Sequence, residues 1–130
     1  MKIALHVQGS PYTSQAAHSA LLFAKSALSS GHEIPRVFFS NLGVLNATTL
    51  AVPPQDEIDL HAEWVKLAAD HKVELITCIS AALRHGILDE NEADRYEKTQ
   101  HNVEAPFVIS GLGQLTEAAI ECDRVVTFAS

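Results

Sequence analysis

The sequence predicts an α/β protein, a single-domain three-layer sandwich with a mostly parallel five-stranded sheet and helices on both faces. Short apolar runs alternate with helix-period segments almost from end to end, a pattern typical of parallel sheets covered by helices. The chain has 130 residues, a usual length for one domain, so 1–130 is interpreted as one unit. Its apolar fraction of 47% is sufficient for a core without disulfides or structural metals.

The N-terminal part predicts a strand, a helix and a second strand. Residues 2–7 form a short apolar run. The segment 13–30 places alanine and leucine on one helical face, and Gly31 follows as a stop signal. The second strand is expected over 33–39, with Pro35 near its beginning.

The middle of the chain predicts a long loop, a helix and a third strand. Residues 40–55 carry asparagine, glycine and proline, and a loop of that length is usually functional or in contact with partners. Asp56 is expected to cap a helix over 57–71, in which Trp64 is expected to be a core residue. The third strand is expected over 73–77.

The remaining elements complete the alternation. Asp89 with Glu92 resembles a capping box, and the polar stretch 96–106 predicts an exposed excursion in which Tyr96 could anchor a partner. The predicted helices cover about 80–85, 90–95 and 111–122, and the predicted strands cover 107–109 and 124–128.

Charge and hydropathy exclude several function classes. The formal net charge is −7, with only nine lysines and arginines, whereas nucleic-acid binders usually carry a basic patch or stripe. No run approaches the roughly 20 apolar residues that cross a bilayer. Two cysteines and no secretory signal favour a reducing cytoplasm and free thiols.

Cys78 is the leading candidate for a catalytic residue. It ends the apolar run 73–77 and precedes a predicted helix, and ligands in open α/β sheets gather at the carboxyl ends of strands. The positive end of that helix would favour the thiolate, which is the nucleophilic form. An exposed thiolate there indicates sulfur or acyl transfer, although position alone leaves core packing as an open alternative.

Other candidate groups have a simpler structural interpretation. Cys122 shares a helical face with Leu115 and Ala118, so a buried cysteine is expected there. The seven histidines show no ligand spacing, so no metal site is predicted. Arg84 and His85 could bring positive charge towards Cys78, but complementing the C-terminal end of their own helix is the favoured interpretation.

No nucleotide or other cofactor is predicted. Gly9 and Ser10 follow the first strand, where a phosphate loop would lie, but the glycine spacing and the Gly-Lys-Ser/Thr ending are missing. The segment 110–113 also follows a strand and opens a helix, and its amides could hold an anion. A tight turn is the preferred interpretation of both segments.

Several motifs together resemble one known family. The chain is similar to the DsrE/TusD branch of the DsrE/F/H-like sulfurtransferases over essentially its whole length. The matching residues are Phe38-Phe39, Gly43-Val44-x-Asn46, Pro54-x-Asp56, Trp64, Cys78 to Ile87 with one gap, Asp89-Glu90-x-Glu92-Ala93, Ser110 to Leu115, and Cys122 to Phe128 with one gap.

The resemblance implies a specific role. The family's active cysteine maps onto Cys78, which would accept persulfide sulfur without a cofactor. Relatives of the TusD type work in a heterohexamer, a dimer of heterotrimers with TusB-like and TusC-like subunits. They take sulfur from a TusA-like donor and pass it to a TusE-like acceptor for 2-thiolation of the tRNA wobble uridine.

Two alternatives stay open at this point. The chain could be the DsrE subunit of a DsrEFH complex in dissimilatory sulfur oxidation, because the two branches share these motifs. It could also be a non-catalytic assembly subunit in which Cys78 is buried and inert.

Overall fold

The structure, a computed structural model, describes residues 1–130 and contains one five-stranded sheet. All four strand pairings are parallel, and the strand order is β4-β3-β2-β1-β5. The predicted fold class is therefore confirmed. The strands are β1 (Ile3–Val7), β2 (Arg36–Phe39), β3 (Glu74–Cys78), β4 (Phe107–Ser110) and β5 (Arg124–Phe128).

Five α-helices and one 3₁₀ helix connect the strands. They are α1 (Ala16–Ser29), the 3₁₀ helix (Asn41–Ala47), α2 (Leu60–His71), α3 (Ile79–Arg84), α4 (Glu90–Arg95) and α5 (Gly113–Glu121). None of these helices combines the length and the apolar character that crossing a membrane requires.

The strand order determines which helices lie on which face. The chain moves in one direction from β1 to β4 and then returns across the sheet to β5. Because crossovers between parallel strands are right-handed, α1 and α2 lie on one face and α5 lies on the other. Side-chain contacts agree: Phe39 meets Trp64 of α2, with ring centroids 5.4 Å apart, and Arg36 bonds to α5.

The core lies mainly between the sheet and the helices α1 and α2. Twenty-seven buried residues form one apolar cluster, and its largest fully buried members include Trp64, Phe38 and Phe39. The expectation that Trp64 is a core residue is confirmed. Tyr96, by contrast, is 52% exposed, as the polar stretch around it predicted.

A buried guanidinium joins the sheet to α5. Arg36 is 7% exposed and donates to the backbone oxygen of Gln114 at 2.8 Å. The same side chain contacts the carboxylates of Glu74 at 3.1 Å and Glu117 at 3.4 Å. A buried charge needs such partners, so Arg36 contributes to holding α5 on the sheet.

Two helix starts differ from the sequence expectation. Helix α1 begins at Ala16, because the Ser14 hydroxyl accepts from the Ala16 amide at 3.1 Å and the preceding residues form a turn. The cap of α2 is Asp59, whose carboxylate accepts from the Ala62 amide at 3.1 Å; the prediction of Asp56 was wrong. The predicted cap Asp89 is confirmed, since it accepts from the Glu92 amide at 2.8 Å.

The expected loop over 40–55 is partly wrong. Its first part forms the 3₁₀ helix Asn41–Ala47, which lies against the carboxyl end of β1. A Cβ atom at Gly43 would overlap the Val7 carbonyl oxygen, so glycine permits this close approach. The predicted excursion over 96–106 contains no helix or strand, but Asn102 attaches it to Leu88 and Thr48.

Asn46 connects the 3₁₀ helix with two other parts of the fold. Its fully buried amide donates to the carbonyls of Gly43 at 2.8 Å and Gly9 at 3.3 Å. Its side-chain oxygen accepts from the Trp64 indole at 3.3 Å, and its backbone oxygen bonds to His61 at 2.8 Å. One residue thus satisfies polar groups from the β1–α1 turn, the 3₁₀ helix and α2.

We expect Asn46→Ala to lower the free energy of unfolding by about 3 kcal/mol, because buried partners lose their hydrogen bonds without gaining water. Urea unfolding followed by circular dichroism measures this loss. Asn91→Ala, at an exposed position on α4, is the matched control. A loss of less than about 0.5 kcal/mol, the usual range for surface substitutions, would contradict the role given to Asn46.

Candidate functional site

Cys78 lies at the carboxyl end of β3, where the sequence placed it. It is the last residue of the strand and the N-cap of α3. In the register of the sheet it pairs with Ser110, the last residue of β4. Helix α3 has only six residues, so few peptide dipoles are aligned towards the sulfur.

The expectation of an exposed thiol is wrong for the chain as described. Only 5% of the surface of Cys78 is accessible, and the residue belongs to the buried apolar cluster. Strands of a parallel sheet are covered on both faces, and a free cysteine packs as a small apolar side chain. A position at the carboxyl end of a strand therefore does not by itself make the Cys78 sulfur accessible.

Serine residues adjoin Cys78 at the start of α3 and on the neighbouring strands. The Ser80 hydroxyl lies 3.5 Å from Cys78 Sγ, and Ser110 is its partner on β4. Continuing the β2–β3 register one residue beyond the Phe39–Thr77 pair puts Ser40 on the other side. Hydroxyls can donate to a sulfur anion as well as accept from a thiol.

A second polar group adjoins this position on the same face of the sheet. His6 Nε2 lies 2.7 Å from the Ser40 hydroxyl, and His6 Nδ1 lies 3.5 Å from the Thr127 hydroxyl. Burial lowers the pKa of His6 below its ordinary value of 6.5, which favours the neutral imidazole at pH 7. Sequence reasoning did not select His6 or Ser40, because only the strand register brings them near Cys78.

Arg84 and His85 lie away from the sulfur. Both are exposed and follow one another at the C-terminal end of α3, and no hydrogen bond or ion pair joins either to Cys78. The favoured interpretation, that they complement the end of their own helix, agrees with this placement.

Cys122 differs from its expected place in the core. It is half-buried and caps the C-terminal end of α5, two residues before β5 begins at Arg124. Its helical neighbour Ala118 is buried, but the helix ends before Cys122 can follow it inward. Burial, and next the carboxylate of Glu121, raise the pKa of the Cys122 thiol.

The structure also describes the histidines and acidic residues that could bind a metal, and the turn after β1. No three side chains of His, Cys, Asp or Glu converge as metal ligands. The turn after β1 is tied to α2 by Tyr12, whose hydroxyl donates to Ile58 O at 3.1 Å and accepts from the Leu60 amide at 3.2 Å. Tyr12 therefore holds this turn against the start of α2.

A sequence model of the DsrE/DsrF-like family matches residues 1–128. The chain belongs to the DsrE/DsrF-like family. The family resemblance inferred from the motifs is thereby confirmed.

Named relatives agree over the full length. The DsrE protein of Allochromatium vinosum is 50% identical over 128 residues, covering 98% of each chain. The sulfurtransferase TusD of Salmonella typhi is 49% identical over 128 residues, covering 98% of this chain and all of that one. The TusD homologue of Aliivibrio fischeri is 46% identical over 124 residues, covering 95% of each.

A solved structure supports the fold. The ychN protein from E. coli matches with a TM-score of 0.73 and 18% identity, covering 98% of this chain and 99% of that one. At 18% identity this similarity shows the fold alone. The enzyme class rests on the relatives near half identity, which are named sulfurtransferases, and the expected class is confirmed.

His6 makes a testable contribution to the pH dependence of folding. Because its pKa is lowered in the folded chain, the unfolded chain takes up the proton first as the pH falls. The stability this residue contributes is present above about pH 6.5 and is lost below it. We expect His6→Gln, which can still bond to Ser40, to lose less unfolding free energy than the native chain between about pH 7.5 and about pH 5.5.

Urea unfolding at the two pH values measures this difference. His71→Gln, which removes an exposed imidazole at the end of α2, is the control. An equal loss of stability in His6→Gln and in the native chain would show that His6 makes no such contribution.

Proposed function

We propose that this chain is a sulfur-relay sulfurtransferase subunit in which Cys78 carries the sulfur. The observation that supports it most is a cysteine at the carboxyl edge of the sheet in a chain about half identical to TusD and DsrE. Sulfur transfer requires a thiol, and the other cysteine lies at the opposite end of the sheet. Cys78 is therefore the residue assigned to the chemistry.

The proposed reaction is two successive exchanges at sulfur. The Cys78 thiolate attacks the outer sulfur of a donor persulfide; a new S–S bond forms, the donor S–S bond breaks, and the donor leaves as a thiolate. An acceptor thiolate then attacks the outer sulfur on Cys78 and regenerates the Cys78 thiolate. The transferred sulfur keeps its oxidation level, so neither an oxidant nor a reductant is consumed.

The hydroxyls beside Cys78 suit this exchange. Both the thiolate and the persulfide anion gain from hydrogen-bond donors, and a bond to a charged acceptor is stronger than one between neutral groups. Ser80 lies within contact distance of the sulfur, while Ser110 is its neighbour on β4. In the proposal these serines hold the anion at the sheet edge.

The partners in this proposal are proteins. A TusA-like donor, a TusE-like acceptor and TusB-like and TusC-like subunits in a heterohexamer would complete a cytoplasmic relay for 2-thiolation of the tRNA wobble uridine. Likeness to TusD supports this version. The net charge of −7 also suits contact with proteins, leaving RNA to a later component. Likeness to DsrE supports the alternative, a subunit of a DsrEFH complex.

Access to the sulfur is part of the proposal. With 5% of Cys78 accessible, a donor persulfide cannot meet the sulfur without a local displacement. Opening of a minor conformation, selected by the partner, provides such access. The short helix α3, which ends at the exposed Arg84, directly adjoins the sulfur and is the segment we expect to move.

The same burial favours a second candidate function. A non-catalytic assembly subunit would contain Cys78 as an inert core residue, which a 5% exposed cysteine in an apolar cluster resembles. In that case Cys78→Ser would leave sulfur transfer by the assembled complex unchanged. The relay proposal requires that it abolish the transfer.

We expect the native chain to gain one sulfur atom on Cys78 when it is incubated with a persulfide donor, as measured by mass spectrometry of the intact protein and its peptides. Cys122→Ser should gain the same sulfur, because Cys122 has no part in the exchange. Cys78→Ser should gain none, and sulfur found only on Cys122 would rule out the relay through Cys78.

Alkylation kinetics test the opening. We expect iodoacetamide to modify Cys78 at least about tenfold more slowly in the native chain than in urea, because reaction requires a local opening. Addition of the assembled partner subunits or of a donor protein should raise the native rate. A native rate as fast as the rate in urea would show that the thiol is accessible without any opening.

A further inference from the structure

A groove lies at the far end of the helix that Cys78 caps. It encloses about 720 Å³ between the end of α3, the turn that follows it and the end of α4. We call it the Leu83–Tyr96 groove. Its lining residues are Leu83, Arg84, Gly86, Leu88, Tyr96 and Lys98.

The groove combines an apolar floor with an exposed aromatic rim. Leu83 and Leu88 are half-buried and leave apolar surface open to the cavity. Tyr96 is 52% exposed, and its hydroxyl makes no hydrogen bond within the chain. Tyrosine and arginine are enriched among the residues that dominate the energetics of protein interfaces.

The charge of the groove is opposite to that of the chain. Arg84 and Lys98 line it, form no salt bridge, and are joined there by no acidic residue. The chain as a whole carries a net charge of −7. By comparison, Arg95 lies close by in sequence and pairs with Glu92 at 3.5 Å. The cations of the groove therefore lack internal partners and suit a ligand with carboxylates.

The ends of the two short helices account for only part of this arrangement. Arg84 in the last turn of α3 complements the carbonyls there. That explanation does not account for an exposed tyrosine, or for an apolar floor beside two cations. A segment with an apolar side chain and flanking carboxylates would satisfy all these groups at once.

The distance between the groove and Cys78 suits a bound peptide segment that contains a cysteine. Helix α3 has six residues and a rise of about 1.5 Å per residue, so the groove begins about 9 Å from Cys78. An extended chain covers that length with about three residues.

We propose that the Leu83–Tyr96 groove binds an acidic segment of the protein that exchanges sulfur with Cys78. In this segment an aliphatic or aromatic side chain flanked by carboxylates lies about three residues from the reactive cysteine. The inference rests on the proposed function, since it assigns a docking surface to that exchange. It gives Arg84 a role in partner recognition in addition to complementing the end of α3.

Binding is tested first, without sulfur chemistry. The probe is a fluorescent peptide with leucine between two aspartates, followed three positions after the leucine by serine in place of cysteine. We expect saturable binding by fluorescence anisotropy to the native chain. Replacing both aspartates by lysine, or the leucine by alanine, should weaken binding about tenfold or more.

Variants of the groove locate the binding. Tyr96→Ala should weaken binding of the acidic peptide about tenfold, and the double variant Arg84→Glu/Lys98→Glu should abolish it and favour the lysine peptide. Lys66→Glu/Lys72→Glu makes the same charge change at two exposed positions, in the middle of α2 and just after its end, and should leave binding unchanged. Circular dichroism and the thermal midpoint confirm that each variant folds.

Transfer is tested second, with the cysteine form of the peptide. Cys78 is loaded from inorganic polysulfide, which needs no docking, and the sulfur gained by the peptide is measured over time. We expect faster transfer to the acidic peptide than to the lysine peptide, and loss of this preference in Arg84→Glu/Lys98→Glu when the rates are compared at equal loading of Cys78.

The outcomes separate the two proposals. Equal binding of acidic and basic peptides, or equal effects of the two double variants, would overturn the groove assignment whatever Cys78 does. Failure of Cys78 to take up sulfur from polysulfide in every variant counts against the relay through Cys78, and the anisotropy measurements then still decide whether the groove binds the peptide.

Discussion

The buried amide of Asn46 is the constraint on which the carboxyl edge of the sheet depends. It bonds to carbonyls of the β1–α1 turn and the 3₁₀ helix, and it accepts from the indole of α2. The 3₁₀ helix in turn contacts α3 and β3, which carry Cys78 at their junction. Because unsatisfied buried polar groups are costly, this network stabilises the position of the 3₁₀ helix, against which α3 and β3 pack.

The sheet and the place of Cys78 within it could be predicted from the sequence, because both follow from local patterns. Apolar runs of four to six residues between helix-period segments determine the alternation, and the run 73–77 directly identifies the strand end. The start of α2 is less predictable from the sequence. Asp56 and Asp59 are both acceptable caps, and the choice depends on where Tyr12 holds the Leu60 amide.

Accessibility and the polar neighbours of Cys78 could not be predicted, because they depend on contacts between distant parts of the chain. Ser40 and His6 are 34 residues apart and meet only through the pairing of β1 with β2. The 3₁₀ helix could not be predicted, because the asparagine and glycine content of 40–55 is typical of loops. Arg84 and His85 follow Cys78 closely in the sequence, yet the polar group in contact with the sulfur is the Ser80 hydroxyl.

The placement of the two cysteines has a chemical consequence. Cys78 ends a strand at the carboxyl edge, and Cys122 precedes a strand at the amino edge. The two are separated by roughly the length of a strand, about 17–20 Å, and also by three strand spacings across the sheet, about 14 Å. A disulfide requires Cα atoms within about 7 Å of each other. In the proposed relay, a persulfide on Cys78 would therefore not be lost by forming a disulfide with Cys122 of the same chain, and its outer sulfur would stay in place until another molecule accepts it.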